Sequence, residues 1–192
     1  VQVATGAVIQ LSGGSLSAGA ITNDGTIACS ATGSLTLGAA GLTNHGTFLK
    51  TGTGSLVVQG GPLANAGSVD VAGGTLVVAG ITGTGSVTVA AGALLVNGKD
   101  WTLDGSSILN NAGTVQLTSG TTVVSAPLTM TGGWTLAGGV LDVEAAMEIG
   151  QLTMPNVFAS PPNGGLTIGT GKTLTVDGLF TWSEQAIQGG GT

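Results

Sequence analysis

The sequence predicts an all-β fold, a parallel β-helix (β-solenoid) with about 20 residues and three short strands per coil and roughly nine coils in all. Three observations predict it. First, a short phrase recurs: Thr22-Asn23-Asp24-Gly25-Thr26-Ile27, Thr43-Asn44-His45-Gly46-Thr47-Phe48, Ala64-Asn65-Ala66-Gly67-Ser68-Val69 and Thr82-Gly83-Thr84-Gly85-Ser86-Val87. Its glycines fall at 25, 46, 67 and 85, in steps of 21, 21 and 18. Second, two further phases keep the same period: Leu35, Leu56, Leu76 and Leu94, each after a glycine and a small residue, and Ile21, Leu42, Leu63 and Ile81. Third, the runs between turns alternate, as in Ser34-Leu35-Thr36-Leu37 and Ser68-Val69-Asp70-Val71. A period of two sends one set of side chains inward and the other outward.

Taken in order, each coil opens at the Ile21 phase, turns at Asn-x-Gly, and continues through the Ile27-Phe48-Val69-Val87 row to the Leu35-Leu56-Leu76-Leu94 row. Val57, Val77 and Leu95 then fall on the outer side of the last row, an aliphatic strip of the kind that marks protein contacts. Beyond residue 100 the period blurs. Asn111-Ala112-Gly113-Thr114-Val115 repeats the phrase, but 28 residues after Gly85. Asp142 to Leu152 reads as either a strand region or a short helix, because Ala145, Ala146 and the glutamates favour helix. Residues 155–165, with Pro161-Pro162-Asn163-Gly164-Gly165, read as an excursion loop. Regular runs resume at Leu166-Thr167-Ile168 and Leu174-Thr175-Val176. Residues 1–192 make one domain, and strand-like residues at both ends suggest a fragment of a longer repeat protein.

Composition narrows the function. There is no arginine, the lysines are Lys50, Lys99 and Lys172, and the net charge is −6. Phosphate neutralisation is out of reach, so nucleic acid is not an expected partner, and anionic membranes are disfavoured. No apolar run approaches the ~18 residues of a membrane-spanning helix, so membrane insertion is not expected. Cys29 is the only cysteine and reads as a buried thiol, with no disulfide. Lys50 falls one coil on in the same inward phase, which calls for a side chain reaching solvent or a local bulge.

The phrases Leu42-Thr43-Asn44-His45-Gly46-Thr47-Phe48 and Gly54-Ser55-Leu56-Val57-Val58 resemble the passenger repeats of bacterial autotransporters and haemagglutinin-type surface adhesins. The run from Gly171 through Phe180-Thr181-Trp182 to Gly189 is similar to a repeat of very large secreted bacterial proteins, without the glycine usual between Trp182 and Ile187. The resemblance implies a right-handed parallel β-helix at the cell surface or outside it, with a structural and adhesive role. Its implied partners are a surface glycan or protein of a host or neighbouring cell, further domains of the parent chain, or a second copy. The alternative is a polysaccharide-binding or polysaccharide-degrading β-helix.

Candidate chemistry is sparse. Asn23, Asn44 and Asn65 share a phase before a glycine, where Asn suits a tight corner and can stack amide on amide. Asp142, Glu144 and Glu148 are the densest acids and the only candidate catalytic group, since a glycosidase needs two carboxylates across one bond. No arginine or nearby lysine supports them, so the reading leans away from an enzyme. Trp101, between Asp100 and Asp104, is a candidate sugar platform, while Trp134 and Trp182 read as core. The repeats lack the tandem Gly-Gly-x-Gly-x-Asp phrase of calcium β-rolls, so no cofactor is expected and any calcium would occupy a single site. His45 stands alone, which leaves no zinc site.

Overall fold

The computed structural model describes residues 1–155, 164–183 and 185–192. Among them are 28 short strands and no helix. Every strand pairing is parallel, so the chain winds as a β-solenoid of about nine turns. Each turn lays one strand on each of three walls. The third wall is continuous: nine strands stack in order from Gly14–Ala18 to Phe180–Trp182.

The other two walls are each broken once. On the first wall, five strands from Gln2–Val3 to Ile81–Thr82 form one sheet, and five from Trp101–Leu103 to Ala186–Gly189 form another. On the second, six strands end at Ile108–Asn111, and three more begin at Leu128–Thr129.

Alternation builds the core. Ile21, Leu42, Leu63 and Ile81 stack inside the first wall, and Ile27, Phe48, Val69 and Val87 inside the second, all essentially buried. On the third wall the inward row runs Leu56, Leu76, Leu95, Val115, Trp134 and Leu152. Leu95, not Leu94, therefore faces the core. The corner before it, residues 90–93, holds one residue more than the corner at 72–74, and one extra residue reverses strand parity. Leu35 is also inward, but it pairs with Val58 and stands one row away from Leu56, because that strand is offset by two residues and keeps its parity.

One open alternative resolves and two other expectations change. Residues 142–152 take the strand alternative and not the helix: Leu141, Val143, Ala145, Met147 and Ile149 are all buried at a spacing of two. Stacking of that inward set between coils outweighs the local helix preference of Ala and Glu. Trp134 is core, but Trp182 is 57 % exposed, because its strand is the last on the third wall. Asn111-Ala112-Gly113 is a corner between the second and third walls, so it does not repeat the Asn23 phase. Of the expected excursion loop, 156–163 lie outside the described residues, Gly164 is buried, and Gly165 opens the strand Gly165–Ile168.

Lys50 neither reaches solvent nor bulges its strand. It keeps register with Cys29 and Val71, and its side chain is fully buried. Its ammonium donates to the carbonyl oxygens of Thr51, Gly52 at 3.2 Å and Gly73 at 3.3 Å. An ammonium can be buried here because its three donors meet three turn carbonyls.

Candidate functional site

The asparagine row forms a continuous buried ladder. Asn23 Nδ2 donates to Asn44 Oδ1 at 2.7 Å, and Asn44 Nδ2 donates to Asn65 Oδ1 at 2.8 Å. Each amide also donates to a backbone oxygen one coil on: Thr47 at 2.9 Å, Ser68 at 2.9 Å and Ser86 at 2.9 Å. The ladder fixes the Asn-x-Gly corner in successive coils. It stops at Gly83, which stands at the Asn phase of the next coil. There the backbone turns to φ +99° and tucks against Asn65, and a Cβ at Gly83 would overlap the Asn65 carbonyl oxygen.

The first wall opens at this point. Ile81–Thr82 pairs back to Leu63–Asn65 but not forward, and Trp101–Leu103 pairs forward to Thr121–Val124 but not back. A notch of about 300 Å³ lies between the two edges, lined by Ile81 to Thr84, Asp100 to Thr102, Asp104 and Ser107. Ser107 Oγ lies 3.4 Å from the Gly83 carbonyl oxygen and spans the seam.

The notch gathers Asp100, Trp101 and Asp104, the three residues proposed from sequence as a sugar platform. Trp101 is only 3 % exposed, in register with buried Thr122, so its ring has no free face for stacking. Asp100 Oδ1 accepts the Thr121 amide at 2.8 Å. Asp104 Oδ1 accepts the Ser106 amide at 3.1 Å and the Ser106 hydroxyl, with the Ser107 hydroxyl at 3.4 Å. The Ser106 hydroxyl, then the Ser106 amide, hold the Asp104 carboxyl below its usual range, so it is ionised. Among the described residues no protein donor reaches the second oxygen of either aspartate. Gly83, Thr84 and Ser107 complete the notch and carried no signal in sequence, except that Gly83 replaces the expected asparagine.

A second opening of about 320 Å³ lies at the break in the second wall, lined by Thr88 to Ala90, Asn110 to Ala112 and Thr129 to Thr131. Asn111 donates to the Gly133 carbonyl oxygen at 3.1 Å, while its Oδ1 is buried without a partner.

The three acids proposed as catalytic do not converge. Asp142 points outward from the first wall between Val123 and Thr167, with Oδ1 buried and unpartnered. Glu144 sits in the corner, its carboxylate against Gly169. Glu148 lies on the second wall and hydrogen-bonds Asp177 of the next coil. That bond, and then the like charge of Asp177, raise the Glu148 carboxyl above its usual range. No group of three or more His, Cys, Asp and Glu side chains that could hold a metal is found among the described residues.

The outward aliphatic strip exists with one substitution. Val57, Val77 and Val96 align in register and are half-buried, while Leu95, expected there, faces the core. Comparison with protein-family profiles, curated proteins and solved structures returns no match.

Proposed function

We propose that this chain is a structural and adhesive segment of a secreted or surface-displayed bacterial protein, an elongated rod that holds binding surfaces away from their anchor. One observation carries this reading: the third wall stacks nine strands without a break while each of the other walls is broken once. At about 4.8 Å per strand, that wall spans roughly 38 Å. A rod whose spine survives local rearrangement can carry load and still vary its outer surface. The Val57-Val77-Val96 strip and the notch are the surfaces such a rod offers to a protein or glycan. A degradative role has less support, since Asp142, Glu144 and Glu148 lie on different elements and the close carboxyl pair is Glu148–Asp177.

Two measurements test the proposal. Single-molecule pulling between the ends is expected to show high resistance with stepwise loss of coils. Beads coated with the chain are expected to adhere to bacterial or epithelial cells more than uncoated beads. Extension at the low force of an unfolded chain, with no adhesion, refutes it. Cleavage of a polysaccharide by the purified chain would replace it with an enzyme.

A further inference from the structure

We propose that the notch between Ile81–Thr82 and Trp101–Leu103 is a binding site for a neutral saccharide. The inference does not rest on the rod reading, since a chain that fails the pulling test can still bind sugar here.

Four features of the notch select the ligand. It is bounded by two strand edges that leave part of their backbone hydrogen-bonding groups without a ladder partner. Such groups are normally paired, so here they are open to water or to a ligand. The edges are too close for an added strand: Cα atoms of the two strands approach within 8 Å, whereas an intervening strand needs two spacings, or about 9.5 Å. The lining is acidic and uncharged otherwise: Asp100 and Asp104 face Thr82, Thr84, Thr102 and Ser107, with no lysine among them. That excludes phosphate, sulfate and uronate ligands, which these carboxylates would repel. Each aspartate spends Oδ1 on the protein, and among the described residues no protein donor reaches its Oδ2.

A sugar ring matches this set. Its hydroxyls donate to the two carboxylates in charge-assisted bonds and exchange hydrogen bonds with the threonine and serine hydroxyls and the edge backbone. At about 300 Å³ the notch is at the small end of ligand clefts, a size for one or two rings rather than a long chain. On the first wall the opening occurs once, since every other neighbouring pair of strands there is closed by ladder pairing.

The test is titration of the 15N-labelled chain with neutral oligosaccharides of glucose, mannose, xylose and N-acetylglucosamine, read by amide chemical shifts. At least one saccharide is expected to move the Gly83, Thr84, Thr102 and Ser107 amides saturably. Asp100→Asn with Asp104→Asn keeps the Oδ1 acceptors, and with them the fold, and is expected to weaken binding about tenfold. Thr84→Trp, at an exposed position on the rim, fills the notch and is expected to abolish it while distant amides keep their shifts. The proposal is overturned if no saccharide in the panel moves these amides, or if the shifts centre elsewhere, as on exposed Trp182. It is equally overturned if Thr84→Trp binds as well as the parent. Saturable shifts of the same amides with calcium chloride or a lysine peptide alone, and none with sugar, would make the notch a cation site instead.

Discussion

Asn44→Ala tests whether the ladder holds the first five coils together. Asn44 is the middle rung. Its removal deletes the bond from Asn23 Nδ2 at 2.7 Å, the bond to Asn65 Oδ1 at 2.8 Å and the bond to the Ser68 carbonyl oxygen at 2.9 Å. A net hydrogen bond is worth about 1 kcal/mol, and a buried acceptor left without a donor costs a further 1–3 kcal/mol. Asn65 Oδ1 becomes such an acceptor, because Asn44 is its donor. The expected loss is therefore about 4–6 kcal/mol, a large part of the stability of an ordinary domain. Asn23 Oδ1 already lacks a donor, since Val3 stands at its phase in the coil before, so Asn23→Ala deletes one bond fewer; it still leaves Asn44 Oδ1 without its donor and is expected to lose about 1 kcal/mol less.

The assay is guanidinium unfolding followed by circular dichroism, with amide hydrogen exchange to locate the change. Coils in a solenoid contact only their neighbours, so exchange is expected to accelerate around residues 23–68 before it does in the distant coils. The comparison mutant is Thr43→Ala, an outward, half-buried neighbour on the same strand. If Asn44→Ala unfolds within about 1 kcal/mol of Thr43→Ala, the amides are passengers of the corner and the ladder argument fails.

Three further outcomes follow from the same geometry. Lys50→Met keeps most of the side-chain volume but strips three turn carbonyls of their donor, and is expected to cost about 2–3 kcal/mol in guanidinium unfolding. A variant as stable as the parent would show that burying the charge had cost as much as its bonds returned. Glu148 titrates above its ordinary value of 4.5 when folded, so the folded chain binds that proton more tightly than the unfolded one. Stability is then highest below 4.5 and declines as pH rises through the raised folded value. Glu148→Gln is expected to flatten that decline, and an unchanged pH profile of the unfolding midpoint would refute it. Gly60 and Gly92 both have positive φ, +102° and +78°, yet they differ in space. A Cβ at Gly60 would overlap the Leu37 carbonyl oxygen, whereas one at Gly92 meets nothing within 4 Å. Gly92→Ala is expected to cost about 1 kcal/mol of backbone strain, and Gly60→Ala at least twice that; equal melting shifts would contradict the assignment.

The coils up to residue 97 were legible because local and stacking preferences coincide there. Asn-x-Gly marks the corner between the first and second walls in three successive coils, and alternation marks each wall. What stayed hidden depends on relations between coils. Leu94 and Leu95 exchange faces because the preceding corner gains one residue, a difference no local pattern reports. Lys50 reads as misplaced until Gly73, 23 residues later, supplies a carbonyl oxygen. The acids from 142 to 148 crowd together in sequence, but the corner at Glu144 divides them between two walls, and the partner of Glu148 arrives only with Asp177. Trp101 sits between two carboxylates in sequence, yet strand alternation turns its ring inward and leaves Asp100 and Asp104 outside.

The position of the notch follows from where the repeat fails. An uninterrupted ladder makes every coil copy its predecessor, since each amide bonds both the next amide and the next backbone. Such a stack closes its wall completely and leaves no concave surface larger than a groove between side chains. Gly83 ends that constraint by removing the side chain the copying requires, and its positive φ takes the corner onto a different path. The next strand on that wall, Trp101–Leu103, is then free to settle against Thr121–Val124 without matching Ile81–Thr82. The third wall keeps the two halves joined, so the seam costs one set of ladder bonds rather than the fold. In this solenoid the notch coincides with the point where the asparagine row is interrupted, and such an interruption is where recognition chemistry should be sought first.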